Sequence, residues 1–363
     1  MKTVIACGGT GGHLFPGLSV AQELHSRGHE ILLIVSEKAI DSVALKNFPE
    51  FKAERLPSIG MPSFLSPAFV QFLRRLWEST TICKHLYKKH QPRAVLGMGG
   101  FTSTPPILAA RRRRIPAFIH ESNAIPGKAN KFSARFCTRI LLGFDAGRSY
   151  FPGRGCVVTG TPVLQNMGTP IPRDIALKKF DLDPNKKTIL VMGGSQGASG
   201  LNQIMFRIAT RLRGQNIQII HLSGEKDEQL AAANYLREEI PSYVSAFCHE
   251  MATAYSAADL VVSRAGASSL NELSFFGLPS ILLPYPFAAD NHQEANANIF
   301  VQAGASEMVR ESDANVENFS NMLLNILTDE NRHSKMGKAA ADLLPRDAAK
   351  RVADVIEREV RRA

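Results

Sequence analysis

The chain has 363 residues, 44% hydrophobic and 21% charged, with no low-complexity tract, which excludes a disordered protein and sets two domains as the expectation. No stretch of 18 apolar residues occurs, the apolar run behind Met1 is too short for a secretory leader, and five scattered cysteines form no CxxC pair; a cytoplasmic protein with reduced thiols is expected. The net charge of +10 is uneven, since residues 1–162 hold 22 Lys and Arg against 9 Asp and Glu while residues 163–363 hold 21 against 24, so the basic half should meet nucleic acid, acidic lipid or a phosphorylated substrate.

Short apolar runs alternate with helical patterns. In the first half the predicted strands are Thr3–Ala6, Glu30–Val35, Ala94–Leu96, Ala117–His120, Ile140–Leu142 and Cys156–Thr159. In the second they are Thr188–Met192, Ile217–Leu222, Val244–Phe247, Leu260–Ser263, Ser280–Leu283 and Ser306–Val309. Continuous Val, Ile and Leu runs suit parallel strands covered on both faces, and the alternation gives βαβ units. The segment from Gly160 to Pro172 is rich in Pro, Gly and Thr and reads as a linker. The expectation is two doubly wound α/β domains, 1–162 and 163–345, facing each other across a cleft, with ligands beyond the carboxyl ends of the strands. The tail 346–363 has an apolar stripe of Ala349, Val352, Ala353 and Ile356 and should form a helix that packs back on the first domain.

Several segments carry chemistry. Gly8-Gly9-Thr10-Gly11-Gly12 follows the first strand, and Gly193-Gly194-Ser195-Gln196-Gly197 repeats the arrangement half a chain later. A glycine-rich turn opening a helix offers backbone N–H groups and the positive end of the helix dipole to a diphosphate. The dinucleotide fingerprint fails, because its third glycine falls on Leu14. His13 suits either a general base or a phosphate contact. Phe64, Leu65, Phe69, Phe72, Leu73, Leu76 and Trp77 beside Arg74 and Arg75, together with the run Arg111–Arg114, fit shallow binding to anionic lipid, the alternative being core packing. His120-Glu121-Ser122-Asn123 ends a strand, and Glu121 or His120 is a catalytic candidate, loop capping being the alternative. Asp181-Leu182-Asp183 resembles a metal-binding DxD, but Pro184-Asn185 follows, so a turn and no metal site are expected. In Arg264–Glu272 the small residues Ala267, Ser268 and Ser269 open a helix, and Glu272 can accept both hydroxyls of a ribose or close a capping box with Ser269. Asp290-Asn291-His292-Gln293 offers hydrogen bonds to sugar hydroxyls.

At these residues the chain resembles the MurG family, the N-acetylglucosaminyltransferases of peptidoglycan synthesis. The shared motifs are GGTGGH at Gly8–His13, HESN at His120–Asn123, GTP at Gly160–Pro162, GGSQGA at Gly193–Ala198, RAGASSLNE ending at Glu272 and DNHQ at Asp290–Gln293. The resemblance implies a GT-B fold and an inverting transfer of N-acetylglucosamine from UDP-N-acetylglucosamine to the 4-hydroxyl of undecaprenyl-diphospho-N-acetylmuramyl-pentapeptide (lipid I to lipid II). It implies no cofactor, no nucleic acid and a peripheral place on the cytoplasmic face of the membrane. By motif, Thr10, Gly11, Gly12 and Asn123 belong to the cleft. Ser195, the backbone at Cys248, Ala267, Ser268, Ser269, Leu270, Asn271, Glu272 and Gln293 bind the uridine diphosphate sugar. His13 and Glu121 are the candidates for catalysis. One departure is plain: the arginine the family often carries just after its third motif is replaced here by Leu164. The rival readings are a UDP-sugar 2-epimerase of the same fold and a nucleic-acid-binding protein.

Overall fold

The computed structural model describes residues 1–57, 60, 62, 66–164, 170–194 and 198–363. The chain divides into two compact units, Met1–Gln165 with Pro345–Ala363, and Asn166–Leu344.

In the first unit β1 (Lys2–Ala6), α1 (Gly11–Ser26), β2 (Glu30–Ser36), α2 (Ala39–Leu45), β3 (Lys52–Leu56), α3 (Ala68–His90), β4 (Ala94–Gly97), α4 (Gly100–Arg112), β5 (Ala117–Glu121), α5 (Lys128–Ser133), β6 (Arg139–Leu142) and β7 (Cys156–Val158) follow in order. All seven strands pair in parallel in the order β3-β2-β1-β4-β5-β6-β7. One sheet face buries Ile5, Leu33, Val35 and Leu96 under α1, and the other buries Val4, Ile34, Val95 and Ile119 with Ile107 and Tyr87 of α4 and α3. Sequence reading missed β3: its residues KAERL are polar and mostly exposed at the sheet edge, so no apolar run marks them. The strand β5 extends one residue further than expected and takes in Glu121.

The second unit holds α6 (Arg173–Lys179), β8 (Lys187–Met192), α7 (Ser199–Leu212), β9 (Ile217–Leu222), α8 (Glu228–Arg237), β10 (Ser242–Ser245), α9 (Met251–Ala257), β11 (Leu260–Ser263), α10 (Ala267–Phe276), β12 (Ser280–Leu282), α11 (His292–Gln302), β13 (Ser306–Met308), α12 (Val316–Thr328) and α13 (Glu330–Leu343). Its strands are parallel in the order β10-β9-β8-β11-β12-β13. Strand β10 begins two residues earlier than its apolar residues suggested, because a half-buried edge strand needs no continuous apolar run.

The last helix, α14 (Ala348–Arg362), returns to the first unit and packs on α1. Val352, Ala353 and Ile356 are fully buried there, and Arg27 binds Asp354 at 2.6 Å while Arg139 binds Glu359 at 3.2 Å. In each sheet the strand order reverses beside the first strand of the unit, between β1 and β4 and between β8 and β11. Such a switch point leaves a crevice at the carboxyl ends of the strands, where these folds bind ligands.

Candidate functional site

At the first switch point the loop Gly8–Thr10 runs from β1 into α1. Its shape is held from below by Asp41, whose buried carboxylate accepts from Gly9 N at 2.9 and 3.2 Å, from Ser36 N at 2.9 Å and from Ser36 Oγ at 2.5 Å. A Cβ on Gly8 would come within 2.2 Å of Ser36 N, so only glycine allows this approach. Lys38 Nζ donates to Gly9 O at 2.8 Å and sets an exposed cation on the loop. Gly11 and Gly12 form the first turn of α1, which contains no acidic residue, and N–H groups there lack an intrahelical acceptor.

His13 stands in this turn with its Nδ1 3.0 Å from Thr10 Oγ1. Its ring lies against Gly99, whose φ is +113°; a Cβ there would sit 2.8 Å from His13 Nε2. The turn from β4 into α4 thus cradles the imidazole, a role sequence reading missed. Burial lowers the His13 pKa to about 4; Asp41 opposes the shift and Lys38 adds to it. The ring is therefore neutral and able to accept a proton at neutral pH.

The HESN segment has a different character. Glu121 is 3% exposed, and its carboxylate accepts from Asn123 N (2.9 Å), Asn123 Nδ2 (3.2 Å), Gly127 N (3.0 Å) and Asn130 Nδ2 (2.8 Å). Burial raises its pKa, and these four bonds oppose the rise. Every lone-pair direction of the carboxylate is thereby engaged, by its own loop and by Asn130 of α5. These bonds match the loop-capping alternative for Glu121. His120, also buried, faces Gly160 O at 2.9 Å and Ser122 Oγ at 3.2 Å, and burial lowers its pKa to about 4. Asn123 is half-buried on the same loop.

In the second unit, Ser195 lies outside the described residues. The helix after it, α7, is anchored by Ser199 Oγ and Asn202 Nδ2, each donating to Asp227 Oδ2 at 2.8 Å. At the switch point, α10 opens with Gly266 as its N-cap and no acidic residue in its first turn. Ala267, Ser268 and Ser269 supply that turn. Leu270 is fully buried, so only its main chain can meet a ligand, and Asn271 Nδ2 donates back to Ala267 O at 2.8 Å. The capping box does not form: the Glu272 carboxylate accepts instead from Tyr255 OH at 2.6 Å. Burial pushes the Glu272 pKa up to about 7, and the Tyr255 bond opposes the rise. Cys248 lies in the loop between β10 and α9. Gln293 stands in the first turn of α11, and its Oε1 accepts from Tyr285 N at 2.9 Å. Asp290 and Asn291 adopt positive φ in the turn before it.

Three further expectations meet the structure. Leu164 packs against the core of the first unit. Asp183 Oδ1 accepts from Asn185 N at 2.8 Å, an Asx turn. Of the apolar residues expected to meet lipid, fewer are exposed than the sequence suggested. Phe64 and Leu65 lie outside the described residues, and Phe72 is core, 7% exposed and edge-on to Phe101 at 5.2 Å. Val70 (72%), Leu73 (46%) and Trp77 (66%) are exposed beside Arg74. The arginine run is not part of this patch. Phe72 meets Phe101 and Tyr87 OH donates to Pro106 O, so α3 and α4 run side by side in one direction. Arg111 is then roughly 15 Å further along α4, by the end of α3 that carries Lys88 and Lys89.

The comparisons with known proteins agree with this architecture. The glycosyltransferase family 28 N-terminal domain matches residues 3–142 and the C-terminal domain matches residues 188–358. A UDP-N-acetylglucosamine--N-acetylmuramyl-(pentapeptide) pyrophosphoryl-undecaprenol N-acetylglucosamine transferase of Geotalea uraniireducens is 34% identical, covering 99% of this chain and 98% of that one. The same-named protein of Microcystis aeruginosa is 35% identical, covering 99% and 97%. The crystal structure of Acinetobacter baumannii MurG superposes with a TM-score of 0.78 at 28% identity over 98% of this chain and 99% of that one. A UDP-GlcNAc 2-epimerase from Neisseria meningitidis shares the fold alone, with a TM-score of 0.71 at 14% identity over 99% and 100%. Two doubly wound parallel sheets give the GT-B fold, and the family 28 matches over both units make the chain a glycosyltransferase of that fold. Within that class, the chain belongs to the MurG family.

Proposed function

We propose that this protein is an inverting N-acetylglucosaminyltransferase, moving the sugar from UDP-N-acetylglucosamine to the 4-hydroxyl of undecaprenyl-diphospho-N-acetylmuramyl-pentapeptide and so converting lipid I to lipid II. The observation that carries the reading is its identity to transferases of that name through 98–99% of the chain.

In this reading the second unit holds the donor. Glu272 accepts the ribose hydroxyls, the main chain at Cys248 and the first turn of α10 (Ala267–Asn271) hold the nucleotide, and Gln293 meets the sugar. Ser195 and the N–H groups at the start of α7 bind the diphosphate. The first unit holds the acceptor at Thr10, Gly11, Gly12 and Asn123. His13 Nε2 takes the proton of the 4-hydroxyl, while Nδ1–H donates to Thr10 Oγ1 and fixes the ring. The freed oxygen attacks the anomeric carbon and the bond to UDP breaks, its electron pair leaving with the diphosphate. Inversion follows from this single displacement. Backbone N–H groups and a helix N-terminus stabilise the leaving charge. No helix among the described residues is long and apolar enough to cross a membrane. Val70, Leu73 and Trp77, with Arg74 and Arg75, are the surface that meets the anionic bilayer from the cytoplasmic side.

Donor binding tests the assignment. UDP-N-acetylglucosamine at 100 times its Kd should stabilise the protein by about 2.7 kcal/mol, read as a rise in Tm, and duplex DNA should not. Glu272→Ala removes a charged acceptor contributing about 1.5–3 kcal/mol, so UDP affinity should fall roughly tenfold or more. Affinity unchanged within about twofold in a folded variant rejects the ribose role.

A further inference from the structure

We propose that Tyr255 is the positioning residue for the donor: its hydroxyl holds Oε2 of Glu272, leaving Oε1 to the ribose diol of the uridine diphosphate sugar. The inference rests on the donor reading above.

The geometry that carries it lies within the second unit. Tyr255, on α9, is 1% exposed. Its hydroxyl donates to Glu272 Oε2 at 2.6 Å and lies 3.4 Å from Met192 Sδ, at the end of β8 just before the second glycine-rich loop. Its ring packs on Phe276, one turn beyond Glu272 on α10, with centroids 5.1 Å apart. One buried side chain thus touches both the strand that leads to the diphosphate loop and the helix that carries the ribose contact. Tyr255 is the one hydrogen-bond donor to Glu272 among the described residues, and Oε1 takes none.

An ionised carboxylate accepts from two hydroxyls about twice as strongly as the neutral acid does. Burial works against ionisation and pushes Glu272 up to about 7 even with the tyrosine bond in place. Tyr255 itself is held well above the usual tyrosine range by burial, so it stays a donor at every working pH. Few other charged groups face the pair. Cys248, in the loop before α9, has its thiol shifted up by burial and so carries no charge near neutral pH. From α13, Ala340 and Ala341 meet α10 at Ser274 and Gly277. From α11, Asn296 donates to Ala265 O in the loop before α10. Arg264, in the same loop, is spent on Glu311 and the Leu283 and Pro284 carbonyls. The tyrosine hydroxyl is therefore the group that draws Glu272 toward its ionised form, and donor binding should release a proton near neutral pH.

Tyr255→Phe keeps the ring and removes only the hydroxyl. At pH 7 the KM for UDP-N-acetylglucosamine should rise about fivefold, with kcat at saturating donor within about twofold. The pH midpoint of UDP affinity should move up by about one unit. In a Glu272→Gln background the same change should leave the pH profile of UDP affinity unaltered, because the titrating group is gone. A fall in Tm with an unmoved pH midpoint overturns the inference and makes Tyr255 a packing residue only. So does an unchanged KM. If the wild-type protein binds UDP at no pH, the donor reading itself fails and takes this inference with it; wild-type binding with a midpoint near 7 that Tyr255→Phe does not move sinks the inference alone.

Discussion

His13 and Glu272 carry opposite shifts from the same cause. Burial disfavours the charged form of each, so the imidazole drops to about 4 and the carboxyl rises to about 7. The consequences separate by kinetic parameter. A neutral His13 remains a base down to about pH 4, so kcat at saturating donor should stay flat from pH 7 to pH 5. On the proposed ribose role of Glu272, kcat/KM for the donor should fall as pH drops below 7, approaching about tenfold per unit. His13→Ala should lower kcat at least about a hundredfold, and His13→Gln, which still donates but cannot act as base, should not restore it. Substantial activity in His13→Gln would reject the base and leave a diphosphate contact, which acts on the acceptor KM. Glu121 does not inherit the role, because four donors already hold its carboxylate. His13 and Glu272 could be singled out in the sequence because each follows a glycine motif at a strand end. Asp41, Lys38, Gly99 and Tyr255 could not. Asp41 lies 32 residues from the Gly9 it holds, and only the parallel pairing of β1 with β2 brings them together.

At the scale of elements, strands with continuous apolar runs could be read directly, and the exposed edge strand β3 could not. Helix faces were harder. The stripe on α3 mixes Phe72, which fills the core against Phe101, with Leu73 and Trp77, which face solvent. Sequence spacing cannot say which side a neighbouring helix covers. Leu73→Ser with Trp77→Ser is therefore the test of membrane contact. Both residues are exposed, so the protein should fold with an unchanged Tm. Each large apolar side chain taken out of water contributes about 1.5–3 kcal/mol, so partitioning to anionic vesicles should fall by at least about tenfold while activity on a short-chain soluble acceptor persists. Partitioning equal to wild type would remove the patch from the membrane reading. Replacing Arg111–Arg114 should matter less, since they stand at the other end of α4.

For the whole molecule, composition separated a basic half from a mildly acidic one, and the two sheets give each half its own switch point. The chain does not divide at one place: α14 belongs to the first unit, with Val352 and Ile356 fully buried there. The fold alone does not choose among chemistries, since a UDP-GlcNAc 2-epimerase shares it at 14% identity. The most direct test is therefore the reaction itself, with UDP-N-acetylglucosamine labelled in the sugar and a lipid I analogue as acceptor. The account predicts one UDP released per sugar transferred and a β-linked disaccharide on the lipid, the inverse of the α-linkage in the donor. Label that leaves the nucleotide as free N-acetylmannosamine, or remains on UDP with carbon 2 inverted, while the lipid stays unlabelled, would contradict it.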